Sequence, residues 1–229
     1  MSPLEPGSQA DWFSGTMSAL AVMIAVGSYG YSELRRRRED NRRDIVTIRQ
    51  IAIKLLRVVN GIHDIHRHVW EGVQEPLAGG QDELWRRTYP LVGLQQEPGL
   101  SLDAAEINLL IEMKQPDFLM ELMLLTSRYQ SILSSMMEYK VRHEAIHAML
   151  PAPVAVEGQI GRHALNEEQY LRLQPYSIQL EMLLQSVRGM TQENVEMGER
   201  LVDQFTPMTS SYFGKPVIKI GIPKTTGTG

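Results

Sequence analysis

The 229-residue chain contains no cysteine, which excludes disulfides, thiolate nucleophiles and cysteine-bound zinc or iron–sulfur centres. It has no excess of basic charge either. Its 23 Lys and Arg stand against 27 Asp and Glu, for a formal net charge of −4, whereas a dedicated nucleic-acid binder ordinarily carries a basic face. No Walker A loop, no G-x-G-x-x-G after a strand, no G-x-S-x-G and no kinase signature occurs, so the common phosphate-cradling and serine-nucleophile chemistries lack their residues. Alternating strand patterns of useful length are missing before the C-terminal tail. What remains is a chain with 43% hydrophobic residues, enough for a core and too many for a disordered or disulfide-scaffolded chain.

The small net charge conceals an uneven distribution. Residues 1–32 carry Glu5 and Asp11 with no Lys or Arg; residues 33–57 hold nine basic groups against four acids, a balance of +5; and 58–229 has a balance of −7. The charge-free stretch runs from Trp12 to Ser32 around an apolar centre, Met17 to Val26, with Trp12 and Phe13 before it and Tyr29 and Tyr31 after it. About 20 helical residues span the hydrocarbon core, and amphipathic aromatic rings favour its two boundaries. Arg35, Arg36, Arg37 and Arg38 follow at once on the C-terminal side only. This pattern predicts one transmembrane helix over 12–32, a short extracytoplasmic N-terminus over 1–11 and a cytoplasmic body after it. A cleaved signal peptide is not expected, because the stretch lacks a basic n-region. Gly15/Ala19 and Ala21/Ala25 are small-xxx-small pairs that permit close approach of two such helices.

The body reads as long helices. Ile45, Ile48, Ala52, Leu55, Val59, Ile62, His66, Val69 and Val73 alternate spacings of three and four, with Gly61 as a soft point. No proline lies between Pro6 and Pro76, so the span and this helix are expected to be continuous. Glu75–Gly80 ends it, and a connector with a short helix over 82–89 follows. Ser101 is the expected N-cap of a helix over 102–114. After Pro116, the residues Phe118, Leu122, Leu125, Tyr129, Ile132, Met136, Tyr139, His143, Ile146 and Leu150 form the most regular stripe, stopped by Pro151 and Pro153. A loop over 151–165 leads to a capping pair, Asn166 and Gln169. Pro175 is expected to restart or kink the next helix. There Tyr176, Leu180, Leu183, Val187, Met190, Asn194, Met197 and Leu201 make a third stripe. The expected fold class is all-α, a transmembrane helix followed by a long-helix bundle or coiled-coil-like domain over 33–205, with a flexible tail over 206–229.

Candidate chemistry sits on histidines. His143-Glu144-Ala-Ile-His147 resembles the zinc-peptidase signature H-E-x-x-H, in which two imidazoles on one helix face hold the metal and the glutamate activates its water. The resemblance covers these five residues only. Leu150 and Pro153 stand where the extended pattern has glycine and a third histidine. His63 and His66 share a helix face and could meet His143 and His147 across a bundle. Glu144 to His147 is the sole Glu-x-x-His unit, whereas a di-iron carboxylate bundle needs two.

The sequence therefore predicts a non-enzymatic tether, scaffold or regulator at the cytoplasmic membrane face, without cofactor, partnered by the lipid bilayer and by other copies or a helical protein rather than nucleic acid. The anchor and its topology would be carried by Trp12, Phe13, Tyr29, Tyr31 and Arg35–Arg38. The alternative is a membrane-anchored zinc metallohydrolase using His143, Glu144 and His147.

Overall fold

In the computed structural model the described residues are 6–71, 83–94, 99–157 and 160–221, without the side chains of 6–22, 25, 155–157 and 160–162. The described residues are all-α apart from one small hairpin. In order come α1 (Pro6–Trp70), a 3-10 turn (Leu84–Arg86), α2 (Ala104–Glu112), α3 (Pro116–Met149), β1 (Ala155–Glu157), β2 (Ile160–Arg162) and α4 (Glu167–Phe213). The strands pair antiparallel with Val156 opposite Gly161; three residues a side are too few to read as alternation in the sequence.

Two units divide at Thr47/Ile48. The first consists of helix among its described residues. Its described apolar side chains, Met23, Ile24, Val26, Tyr29, Tyr31 and Leu34, are all exposed. Among the described residues no helix is long and apolar enough to cross a membrane. Side chains in the first half of the expected span, Trp12 and Phe13 included, lie outside the described residues.

The second unit contains the core. Ile48, Ile51, Ala52, Leu55, Val58, Val59, Ile62, Ile65 and Val69 of α1 are buried, a stripe wider than the expected one because Ile51, Val58 and Ile65 join it. A stripe of that width serves two neighbours rather than one coiled-coil seam. Ile45 and His66 lie at its half-buried edge, and Val73 is outside the described residues. Every stripe position expected on α3 from Phe118 to Ile146 is buried, with Leu119 and Leu133 added.

Cross-helix pairs fix the directions. Arg200–Glu121, Arg128–Glu193 and Arg142–Gln179 join α3 to α4 with numbers rising on one as they fall on the other, so the two run antiparallel. Val59 meets Gly198, and Trp70 meets Arg188, so α1 is antiparallel to α4 as well. Helices α1 and α3 are consequently parallel. Tyr89 O meets His68 near the end of α1, and Ser101 O meets Lys54 four turns earlier on the same helix, so the chain enters α2 beside the earlier part of α1.

Local chemistry explains the ends. Asp103, not Ser101, caps α2: its carboxylate accepts from Glu106 N at 2.9 Å, and the Glu106 carboxylate accepts from Asp103 N at 2.8 Å, a reciprocal box that satisfies two orphan donors. Asn166 and Gln169 form the expected box on α4. Pro175 and Pro207 both lie inside α4, which continues to Phe213 and stops at left-handed Gly214 (φ 65°). The helix thus passes beyond residue 205, and Val217, Ile218 and Ile220 pack against the core. Residues 222–229 are outside the described residues.

Candidate functional site

The connector supplies a site that the sequence pattern did not mark. Trp85 is buried, and Glu181 of α4 accepts from its backbone N at 3.2 Å while Glu83 accepts from its indole Nε1 at 3.1 Å. Tyr139 of α3 donates its hydroxyl to Thr88 O at 2.6 Å and lies 3.1 Å from Trp85 O. His68 of α1 donates Nε2–H to Tyr89 O at 2.7 Å. Residues 83–89 are therefore strapped to three helices. The signal available in the sequence was a tryptophan in a connector, since so large an apolar ring seldom stays in water.

His143 lies beneath the strap. It is buried, its ring edge-on to Trp85 at 6.3 Å, tilted against Tyr139 at 5.5 Å and against His147 at 4.5 Å between centroids. Burial first, then the neighbouring His147, pushes its pKa down to about 4. His147 is lowered too, by burial and then by His163, whose Nδ1–H donates to Pro151 O at 2.7 Å. Burial, aided by Glu181, raises the Tyr139 phenol, so it remains a donor.

No protein-family model, curated protein or solved structure matches the chain.

The structure brings His143 and His147 together as their i, i+4 spacing implies. Glu144, by contrast, is mostly exposed, 3.9 Å from Lys140. Among the described residues no three His, Asp or Glu side chains are grouped to hold a metal ion. His63 and His66 do not reach His143. They face α4, where His63 Nε2 is 3.5 Å from Glu199, while Arg142, next to His143, meets Gln179. Even Arg188, which meets Trp70 one turn beyond His66, is nine positions from Gln179, or about 14 Å of helix. His66 instead packs on Trp70 at 5.7 Å, with the Arg188 guanidinium 3.7 Å from the Trp70 ring centroid. The His66 pKa is lowered by burial, then by His63, with Arg188 adding to the effect and Glu71 opposing it.

Of the expected anchor residues, Tyr29 and Tyr31 are exposed, Arg35 pairs with Glu39 at 2.9 Å and Arg37 with Glu33 at 3.0 Å. Arg36 and Arg38 are exposed. Exposed i, i+4 pairs such as these stabilise a helix by about 0.3–0.5 kcal/mol and leave the stripe's charge at the surface.

The histidine shifts set an acid dependence. His143 has a folded pKa of about 4 against about 6.5 unfolded, so the unfolded chain binds more protons between those values and stability drops as the pH is lowered. Its contribution is fully present above pH 6.5, is lost as pH falls towards 4 and changes no further below that. The loss from this residue is at most about 3 kcal/mol, and is reached only while the folded protein keeps His143 buried. Urea unfolding at pH 7.5, 6 and 4.5 should show it, and His143→Phe should flatten the slope. A slope unchanged in that variant would assign the acid sensitivity elsewhere.

Proposed function

We propose that this chain is a membrane-anchored, non-catalytic helical protein that holds partners at the cytoplasmic face of a bilayer. Residues 12–32 cross once, residues 1–11 lie outside, and the body from residue 33 onward lies inside. The observation that carries this reading is the charge step: no Lys or Arg in residues 1–32, then nine in residues 33–57. Basic residues resist translocation and hold their side of a span in the cytoplasm. The uncovered side chains of Met23, Ile24, Val26, Tyr29 and Tyr31 support it, since hydrocarbon and its boundary offer such a helix the cover that its own unit lacks. Arg35, Arg38 and Arg42 recur at spacings of three and four on one helix face, where each contributes about 1 kcal/mol towards anionic headgroups when close to the surface.

For partners, the body offers α3. Met120, Met123, Leu124 and Met137 are exposed there, while Met136 is buried. Flexible thioethers suit an adaptable surface for a helical protein or another copy. The full chain is expected to stay with membranes through high-salt and alkaline washes, and deletion of residues 1–32 is expected to free it. Appearance of the intact chain in the alkaline supernatant would refute the anchor.

A further inference from the structure

We propose that residues 83–89 form an acid-released strap: neutral His143 seats Trp85 on the bundle, and an imidazolium at that position unseats it while the long helices stay folded. The strap and its seat belong to the unit Ile48–Gly229, so the inference stands whether or not residues 12–32 enter a membrane.

The geometry makes His143 a seat that tolerates no added charge. Its ring packs against Trp85, Tyr139 and His147. The charged and titratable groups of the strap and of its seat come from every neighbouring element. On α3 they are Lys140 and Glu144, 3.9 Å apart, together with Tyr139 and His147. From the connector, Arg86 stacks on Trp85 with its guanidinium 5.3 Å from the ring centroid and pairs with Glu83 at 2.7 Å. From α1 comes His68, already donating to Tyr89 O. From the segment before α4 comes His163, donating to Pro151 O. From α4 comes Glu181, whose two oxygens accept from Trp85 N and from Gln185. The nearby carboxylates are thus already engaged, by Lys140, by Arg86 and Trp85, and by Gln185. A proton on His143 adds a cation beside His147 and beneath an indole that already carries the Arg86 guanidinium. Its depressed basicity, down to about 4 with burial as the main cause, expresses the same penalty.

Two routes relieve that penalty: unfolding the helices, or lifting the strap. The strap is the weaker of the two. Trp85 is its one fully seated apolar side chain, and Leu84 and Leu91 are only half-buried. The helices share a core that runs from Ile48 to Phe205. Lifting residues 83–89 wets the imidazolium, breaks few apolar contacts and leaves His68 able to donate, charged or not. Local openings of this kind are drawn from segments with the least burial.

The test uses the full chain in a Trp12→Phe/Trp70→Phe background, leaving Trp85 as sole reporter. Acrylamide quenching of Trp85 is expected to rise several-fold between pH 6.5 and 4.5 with far-UV helicity unchanged, and to stay flat with His143→Phe. Arg86→Gln changes a partly exposed side chain and removes one of the cations, so it should move the transition to lower pH even if the His143 variant folds poorly. Quenching that stays flat in the parent, rises equally in His143→Phe, rises only together with loss of helicity, or keeps its midpoint in Arg86→Gln would overturn the proposal.

Discussion

Glu106→Ala is expected to lower the unfolding free energy by about 3–5 kcal/mol, the usual cost of leaving one member of a buried ion pair alone. Glu106 is fully buried at the start of α2, and its Oε2 accepts from Lys54 Nζ of α1 at 2.6 Å and from Asp103 N at 2.8 Å. Lys54 Nζ also donates to Ser101 O at 2.9 Å. One carboxylate oxygen therefore closes the α2 cap and fastens the incoming connector to α1. Truncation strands a lysine that is only one-fifth exposed and frees the Asp103 N–H. The other carboxylate oxygen, Oε1, is buried and lacks a hydrogen-bond partner among the described residues, so the pair is imperfectly satisfied. Accordingly Lys54→Met/Glu106→Leu should lose much less than Glu106→Ala, because an apolar replacement of both partners abolishes the stranded charge. Urea midpoints of wild type, single and double variants at neutral pH measure this. Equal losses in the single and double variants would show that the ion pair is not what matters.

Gly61→Ala is expected to destabilise by about 1–3 kcal/mol through overpacking, against an intrinsic helix preference that favours alanine by about 1 kcal/mol. A Cβ at position 61 would stand 2.5 Å from Tyr129 Cζ. It would press on the ring itself, which is buried between neighbours on α3 and cannot simply rotate away. Gly189 on α4 is the control: a Cβ there meets nothing within 4 Å, so Gly189→Ala should stabilise by about 0.5–1 kcal/mol. Tyr129→Leu should recover part of the Gly61→Ala loss. Thermal unfolding of the three variants checks the signs; a stabilised Gly61→Ala protein would contradict the close approach of α1 and α3.

Gly61 also shows what hydrophobic spacing can and cannot reveal. As a sequence feature it reads as a weak point in a helix; in the fold it is the place where the Tyr129 ring of α3 reaches the backbone of α1. The stripe of α3 was legible from Phe118 to Ile146 because nearly all of its buried positions are large and apolar, although Leu119 and Leu133 also lie inside and Leu150, at the C-cap, is half-buried. On α4 the shared positions Leu180, Val187, Asn194 and Leu201 are buried as expected. The alternate edge differs, for Ser177, Leu184, Thr191 and Gly198 lie inside, while Tyr176 and the flanking Leu183, Met190 and Met197 lie farther out. A reading that ranks residues by hydrophobicity selects leucine and methionine. Packing selects small side chains where Val59 comes within 2.9 Å of a Cβ on Gly198. Of the site, the His143–His147 pairing was visible from i, i+4 geometry. The strap over it was not, because Tyr139–Thr88 and Trp85–Glu181 join residues about fifty and a hundred positions apart, and no local period encodes such contacts. The parallel course of α1 and α3 was hidden for the same reason.

That parallel course has a consequence for the order in which the chain is made. The buried stripe of α1 between Ile48 and Val69 leaves the ribosome well over a hundred residues before Gly198 and Phe205, which help to cover it. The stretch between Trp70 and Pro116 postpones even the arrival of α3. Trp85 meets the same delay, since its backbone partner Glu181 belongs to the last helix. Nascent chains that end before α4 consequently present an open apolar face and an undocked strap, and core closure and strap docking both wait for the C-terminal third of the protein.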